Sequence, residues 1–386
     1  MEGFEPVRRK SLLDHFAEIT DTRQSCKVMY PLQEVLLLVV CGTICACDDY
    51  DDIVLWGETH LDFLRRLSPF HWGLPCADWL RVVMNRIDPA LFSACFRSFV
   101  AERLPDKIGQ IAIDGKTSRR SHDRCGAQAA LHLVSAYATT HNLVLGQIGV
   151  SEKSNEITAI PVLLQYLAES GALTGALVSI DAMGCQSAIA EAIVDAKADY
   201  LLATKDNQKT AHAEIQLYFD QAPACEIATL SAVEKNHGRI ETRRHLVSHN
   251  VGFMSGKRRY PDEPRFKAIK TIAMIETSVE KSGESKTERR CYISSRLLDV
   301  AAFADAARRS EGRAIENGLH WVLDVAFKED QSRLRRGHGA KNMAIVRHFS
   351  LNLVRAEPSK RTIKGKRKLA SWDTKALQAI LGLQAR

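Results

Sequence analysis

"GQIAIDGKTSRRS", Gly109 to Ser121, places a carboxylate, Asp114, directly after the apolar run Ile111-Ala112-Ile113 and follows it with Lys116, Arg119 and Arg120. The hydrophobic period changes at this stretch. Upstream, apolar residues recur every three or four positions in "SLLDHFAEI" from Ser11, "PLQEVLLLVVCGTICA" from Pro31, "YDDIVLWGETHLDFLRRL" from Tyr50 and "DWLRVVMNRIDPALFSACFRSFVAERL" from Asp78. That spacing predicts a helical domain over residues 1–105, broken near Pro89. Downstream, "IGQIAIDGK", "ALHLVSAYATT" and "NLVLGQIGV" are short β-rich runs joined by turn-like stretches. They predict three consecutive antiparallel strands.

From Glu156, "EITAIPVLLQYLAES" has helical spacing, with Asn155 as its N-cap. "ALVSIDAMG" then predicts a strand, "CQSAIAEAIVDAKA" a helix and "DYLLATK" a strand. The order βββαβαβ is buried most simply as a mixed sheet with helices on both faces. About a hundred residues separate the "KDNQ" loop from Glu316, too many for a simple connection. Within them "HGRIETRRHLVSHN", "RFKAIKTIAMIETSVEK" and "SKTERRCYISS" predict a β-rich insertion at about 211–300 inside a core domain spanning 106–330.

The 386 residues are 45% hydrophobic, ordinary for a globular chain of two or three domains. No apolar stretch reaches the ~18 residues that a membrane span requires, and the N-terminus lacks a signal-peptide core. Ten cysteines are scattered without the CxxC pairs of a zinc site or a compact disulfide framework, and are expected as reduced thiols in a cytoplasmic protein. The net charge of +7 is concentrated at the end: Gln331 to Lys368 holds twelve Lys or Arg against one acid, Glu357. This basic C-terminal segment, 331–386, is either a solvated tail or a phosphate-contacting surface.

Asp114 and Asp181 each end an apolar run, so both fit neighbouring strand ends on one sheet. Paired carboxylates repel unless a cation neutralises them, and hard divalent ions such as Mg²⁺ prefer oxygen ligands. The alternative is that each caps a turn, since "DG" and "DAMG" are good turn sequences. A third acid lies in "IENGLHWVLDVAFKED", Ile315 to Asp330, where Glu316, His320 and Asp324 fall at i, i+4 and i+8. On a regular helix they form one polar stripe among apolar residues, and a buried glutamate there needs a partner. A metal shared with Asp114 and Asp181 supplies one; an arginine such as Arg313 or Arg333 is the alternative.

Together "IAIDGKTSRRS", "KSNEITAIPVLL", "VSIDAMGCQ", "ADYLLATKDNQ", "HGRIETR", "IENGLHWVLDVAFKED" and "KRKLASWD" resemble the bacterial insertion-sequence DDE transposases that include the H-repeat-associated proteins. The resemblance runs from about residue 10 to 385. It implies an α/β fold with a ribonuclease-H-like core, a helical N-terminal domain that helps recognise the element's ends, and Asp114, Asp181 and Glu316 as catalytic metal ligands. The implied chemistry is cleavage of DNA and transfer of its freed 3′ end, with Mg²⁺ as cofactor and Mn²⁺ as substitute. The implied partner is double-stranded DNA, both element ends and target, with a homodimer on DNA and no membrane. Candidate DNA contacts are Lys116, Arg119, Lys205, Gln208, Arg239, Arg335, Arg336, Lys364, Lys366 and Arg367. The chain departs from the family at "RSEGRAIEN", Arg309 to Asn317, which lacks the usual His-Trp pair, and at Asn155, where the family has His. A catalytically inactive or domesticated DNA-binding copy, and a host nuclease on the same core, therefore stay open.

Overall fold

Ser11 opens the first helix with a capping box: its hydroxyl accepts from the Asp14 N–H while the Asp14 carboxylate accepts from the Ser11 N–H. The computed structural model describes residues 10–122, 129–150, 155–236, 239–255, 266–281, 284–310 and 313–382. The expected helices of the first hundred residues are α1 (Leu12–Ala17), α2 (Leu32–Ile44), α3 (Tyr50–Thr59), α4 (Leu61–Arg65), α5 (Ala77–Arg86) and α6 (Pro89–Ala101). Pro89 is a helix boundary: Asp88 accepts from the Ala90 N–H, and proline sits in the first turn, where its missing donor costs nothing. α2 is buried on every side, so it forms the centre of this layer rather than a surface helix. Its Glu34 accepts from the Phe70 N–H at 2.7 Å and the Ser68 hydroxyl at 3.2 Å, which makes a buried acid tolerable.

Past α6 the described residues build a nine-stranded sheet. Its strands are β1 (Gln110–Thr117), β2 (His132–Ala138), β3 (Leu143–Val150), β4 (Leu177–Ile180), β5 (Asp199–Thr204), β6 (Ala228–Asn236), β7 (Arg239–Ser248), β8 (Thr271–Lys281) and β9 (Glu284–Ser294). They lie in the order 3-2-1-4-5-9-8-7-6. β1, β2 and β3 are antiparallel as expected, with Asn142 taking the left-handed conformation in the tight turn before β3. α7 (Glu156–Glu169) and α8 (Ser187–Asp195) carry the chain back across the sheet, so β4 and β5 run parallel to β1. Asn155 caps α7, accepting from the Thr158 N–H at 3.2 Å.

The β-rich insertion does not form a separate layer. After α9 (Lys209–Gln221), β6–β7 and β8–β9, with α10 (Gly252–Ser255) between them, join the core sheet because β9 pairs antiparallel with β5. α11 (Val300–Ser310) covers one face, where Phe303, Ala306 and Ala307 pack with Leu177, Leu201 and Tyr292. α12 (Arg313–Ile315) and α13 (Trp321–Ala326) follow it.

Within 331–386, expected as a basic C-terminal segment, the described residues form α14 (Gly339–Ala356), α15 (Ile363–Trp372) and α16 (Thr374–Ile380), which join the helical layer. α14 lies against α2, α5, α6 and β3. Its Phe349 ring is 4.8 to 5.8 Å from the rings of Phe16, Phe92, Phe96 and Phe99. Asn352 meets the outer edge of β3, accepting from the Val144 N–H at 3.0 Å and donating to its carbonyl at 2.9 Å. That side chain does for the edge what a further strand would do.

Candidate active site

Asp114 is the fifth residue of β1, which continues to Thr117, so the Asp-Gly pair is not a turn. The parallel ladder of β1 and β4 ends at Ile113 opposite Ile180, and the next residues on the two strands are Asp114 and Asp181. Successive side chains alternate between sheet faces. Asp114 and Asp181 therefore share the face of Gln110 and Ser179, whose side chains bond at 3.0 Å, and Gln110 also donates to the Ala306 carbonyl of α11 at 3.0 Å. Both acids lie on the side covered by α11 to α13. Asp181 also caps a short 3₁₀ turn, accepting from the Met183 N–H at 3.1 Å and the Gly184 N–H at 3.3 Å, which leaves its carboxylate exposed and fixed.

Glu316 does not sit on a regular helix. Residues Glu316 to His320 form a π turn, in which the Trp321 N–H donates to the Glu316 carbonyl. The extra residue rotates the expected i, i+4, i+8 stripe apart: Glu316 is exposed, His320 is buried, and Asp324 is half-buried against Lys116. The expected buried glutamate in need of a partner is thus corrected to an exposed one. The turn is clamped from below. Arg355 donates to the Gly318 carbonyl and, at 2.8 Å, to the Asn142 carbonyl, with its guanidinium over the Tyr137 ring. A Cβ at Gly318 would lie 2.8 Å from the Tyr137 hydroxyl, so glycine is required for this close approach.

Burial pushes the Asp114 carboxyl up to about 7, and the neighbouring charges of Asp181, Glu156 and Glu316 add to the shift against one bond from the Gly115 N–H. His320 Nδ1 lies 3.7 Å from Asp114 Oδ2, but burial lowers its pKa to about 4, so the ring is neutral and provides no compensating cation at neutral pH. Among the described residues no three His, Cys, Asp or Glu side chains stand close enough together to hold a metal ion as they are.

Two residues past Asp114 on the same face, Lys116 Nζ meets Asp324 Oδ1 at 2.5 Å and Glu329 Oε2 at 2.8 Å. Burial opposes the lysine's charge, but the two carboxylates outweigh it and raise its pKa. Glu329 is itself buried, and Lys116 with Arg347 of α14 holds it ionised against the cost of burial. The expectation that Lys116 contacts DNA is corrected: its ammonium ties β1 to the segment after α13.

Residues 105–353 match the family described as "Transposase DDE domain", and residues 13–100 match its companion described as "DDE_Tnp_1-associated". The chain belongs to the DDE transposase family. It is 36% identical to the "H repeat-associated putative transposase YhhI" of Escherichia coli K12, over 96% of this chain and 98% of that one. To the "Putative transposase YncI" of Escherichia coli O157:H7 it is 38% identical, over 96% of this chain and 94% of that one. The piggyBac transposase synaptic complex with hairpin DNA aligns at a TM-score of 0.43 and 9% identity, covering 95% of this chain and 77% of that one, too slight a likeness to bear on the site.

For a DDE transposase family member the placement of the other cations matters. Arg119 is 84% exposed at its side chain, 3.8 Å from Asp330, and Lys205 is exposed beyond β5. Arg336, Lys360, Arg361, Lys364 and Lys368 are exposed, while Arg335 donates to the Arg120 carbonyl at 3.2 Å. Arg239 opens β7, but its side chain lies outside the described residues, as do Glu311 and Gly312 of the altered "RSEGRAIEN".

Three further expectations are corrected. Gln208 is buried and donates to the Cys185 carbonyl at 2.9 Å, and with Asn207, which donates to the Ala182 carbonyl, it braces the turn after Asp181. Lys366 is buried and donates to the Val354 carbonyl at 3.3 Å and the Glu357 carbonyl, so it caps the end of α14. Arg367 is buried over the Phe327 ring, donates to the Thr43 carbonyl at 2.7 Å, and is lowered by burial to about 10.

Proposed function

We propose that this chain is the transposase of an insertion sequence, cutting double-stranded DNA at the element's ends and joining the freed 3′ ends to target DNA. The observation that carries the proposal is the register of β1 and β4, which makes Asp114 and Asp181 neighbours on one face, beneath the π turn that presents Glu316. The strand order 3-2-1-4-5 with one antiparallel meander supports reading the core as ribonuclease-H-like. The donor chemistry suits a hard divalent cation. All three donors are carboxylates, and Asp114 is held partly protonated by burial and like charges that a cation would relieve. Asp114, Asp181 and Glu316 would hold Mg²⁺, or Mn²⁺ in its place. When bound, such ions activate a hydroxyl nucleophile and neutralise the oxygen that leaves phosphorus.

The chain's own residues do the rest. The backbone amides of Met183 and Gly184 orient Asp181, the Arg355 clamp fixes the turn that carries Glu316, and neutral His320 screens the inner side of Asp114. Lys205 and Arg119 are exposed cations for the phosphates that flank the site. Joining two ends to one target calls for two sites, hence a homodimer on DNA. No described helix is long and apolar enough to cross a membrane, and the proposed workplace is the bacterial cytoplasm, at the nucleoid.

The test uses purified protein and linear duplexes bearing the DNA that flanks the gene on either side. Nicked ends and joined products are expected with Mg²⁺ or Mn²⁺ and neither with EDTA. Cutting in EDTA, or DNA binding without cutting in any divalent ion, contradicts the proposal; cutting without joining indicates a nuclease.

Among the described residues of the basic end, the exposed cations Lys360, Arg361, Lys364 and Lys368 can reach phosphate. Replacing Lys360, Arg361, Lys364 and Lys368 by Gln is expected to weaken binding to all DNA sequences alike, and to flatten log K against log salt by up to about 0.9 for each phosphate no longer neutralised. Fluorescence anisotropy across a salt series reads the slope. An unchanged slope would mean these four are only solvated.

A further inference from the structure

The start of α3, α5, α14 and the segment after α13 line a cavity of about 360 Å³, apart from Asp114, Asp181 and Glu316. Its size suits one small ligand of nucleotide dimensions. The lining carries Arg81, Lys328, Arg333 and Arg347 beside three aspartates, but the aspartates are already engaged. Lys328 binds Asp48, Asp49 accepts from the Asp52 N–H at 2.9 Å, and Arg81 lies 3.7 Å from Asp51. The inner donors are not. Arg347 is 6% exposed, yet its guanidinium comes no nearer than 3.8 Å to Glu329, beyond hydrogen-bond reach. Tyr50, 2% exposed on the same lining, has a hydroxyl with no hydrogen-bond partner among the described residues. Buried donors without acceptors are costly, and an acceptor is what this cavity lacks.

We infer that this cavity binds a nucleoside phosphate, its phosphate accepting from the Arg347 guanidinium and its base or sugar lying against Ile53, Leu334 and Met343. A guanidinium fork matches two phosphate oxygens, and the mixed lining favours a nucleoside phosphate over a bare anion. Three aspartates repel a small polyanion, whereas each carboxylate keeps lone pairs for the amino group of a base. The cavity is also close to the three acids. Glu329 meets Arg347 with one oxygen and Lys116 with the other, and Lys116 is two residues from Asp114 on β1. One nucleotide of a single strand passing those acids, or a free nucleotide, brings the same chemistry. The simpler reading makes Arg347 a countercharge for Glu329 over a water-filled cavity. That role needs a charge but no fork.

Calorimetric titration of the full chain with each of the four deoxynucleoside 5′-monophosphates, inorganic phosphate and 5′-phosphorylated trithymidylate separates them. EDTA is present throughout, so no divalent ion can hold phosphate at Asp114, Asp181 and Glu316, and the outcome is independent of their role. At least one of the nucleotides is expected to bind, more tightly than inorganic phosphate. Arg347→Lys keeps the charge beside Glu329 but loses the fork. Its thermal midpoint is expected to stay near the wild-type value while its affinity for that nucleotide falls at least about tenfold. Arg333→Gln, at an exposed position of the lining, is expected to weaken binding less. Tighter binding of the trinucleotide than of any mononucleotide assigns the site to a DNA strand, the reverse to a free nucleotide, and either upholds the inference. No binding of any nucleotide, or inorganic phosphate bound as tightly as the nucleotides, overturns it. So does wild-type affinity in Arg347→Lys or, should that variant not fold, in Arg333→Gln.

Discussion

Asp114→Asn, Asp181→Asn and Glu316→Gln are each expected to abolish DNA cutting while leaving DNA affinity and the thermal midpoint unchanged. Each swap removes a hard anionic donor with almost no change in shape. Asp181 and Glu316 are exposed, so neutralising them disturbs no packing. Asp114 is pushed up to about 7 by burial and like charges, so its neutral amide replaces a group whose ionisation is already costly in the fold. Cleavage of end-labelled duplex, with anisotropy for binding and calorimetry for folding, checks all three. Full activity in Glu316→Gln would shift the third role to Asp324, Glu329 or Asp330. The first two are bound to Lys116 and the third lies beside Arg119.

The largest stability effect is expected at Lys116. In Lys116→Met, buried Glu329 keeps only Arg347, at 3.8 Å, and Asp324 loses its partner. Breaking a buried charge pair from one side costs on the order of 3–5 kcal/mol, because the remaining charge stays desolvated. The double variant Lys116→Met/Glu329→Gln is expected to recover part of that loss, since it removes the stranded charge. Urea unfolding of the three proteins measures the cycle. A loss below about 1 kcal/mol in Lys116→Met would mean the pair behaves as a surface bridge.

What was legible in the sequence was what repeats. The switch from a period near 3.6 to a period of two located the first helical layer and the strands β1 to β5, and the acids at the ends of apolar runs pointed to Asp114 and Asp181. Registers are not periodic. That Asp114 and Asp181 lie on adjacent parallel strands depends on the β2–β3 meander and one helical crossover, α7, and that β9 closes on β5 depends on contacts about ninety residues apart, as between Leu202 and Ile293. The π turn hid for a related reason: a regular helix is the default reading, and the extra residue at Glu316 to His320 is held by Arg355, thirty-seven positions from Gly318. Local charge misled as well. "KGKRK" reads as five exposed positions, but Lys366 and Arg367 turn inward because α14 ends in free carbonyls and Thr43 offers another. Gly115 looked like half of a turn, and the reason for it lies in a histidine seventeen residues on and a glutamate forty-one residues on.

The central claim is that one acidic site performs both hydrolysis and joining. The most direct measurement starts from a pre-cut element end with a free 3′-hydroxyl, which bypasses the first step, and counts joined products with plasmid target in Mg²⁺. Wild-type protein is expected to join the pre-cut end, and Asp114→Asn, Asp181→Asn and Glu316→Gln to yield none. Joining at the wild-type rate by any of the three would contradict the claim.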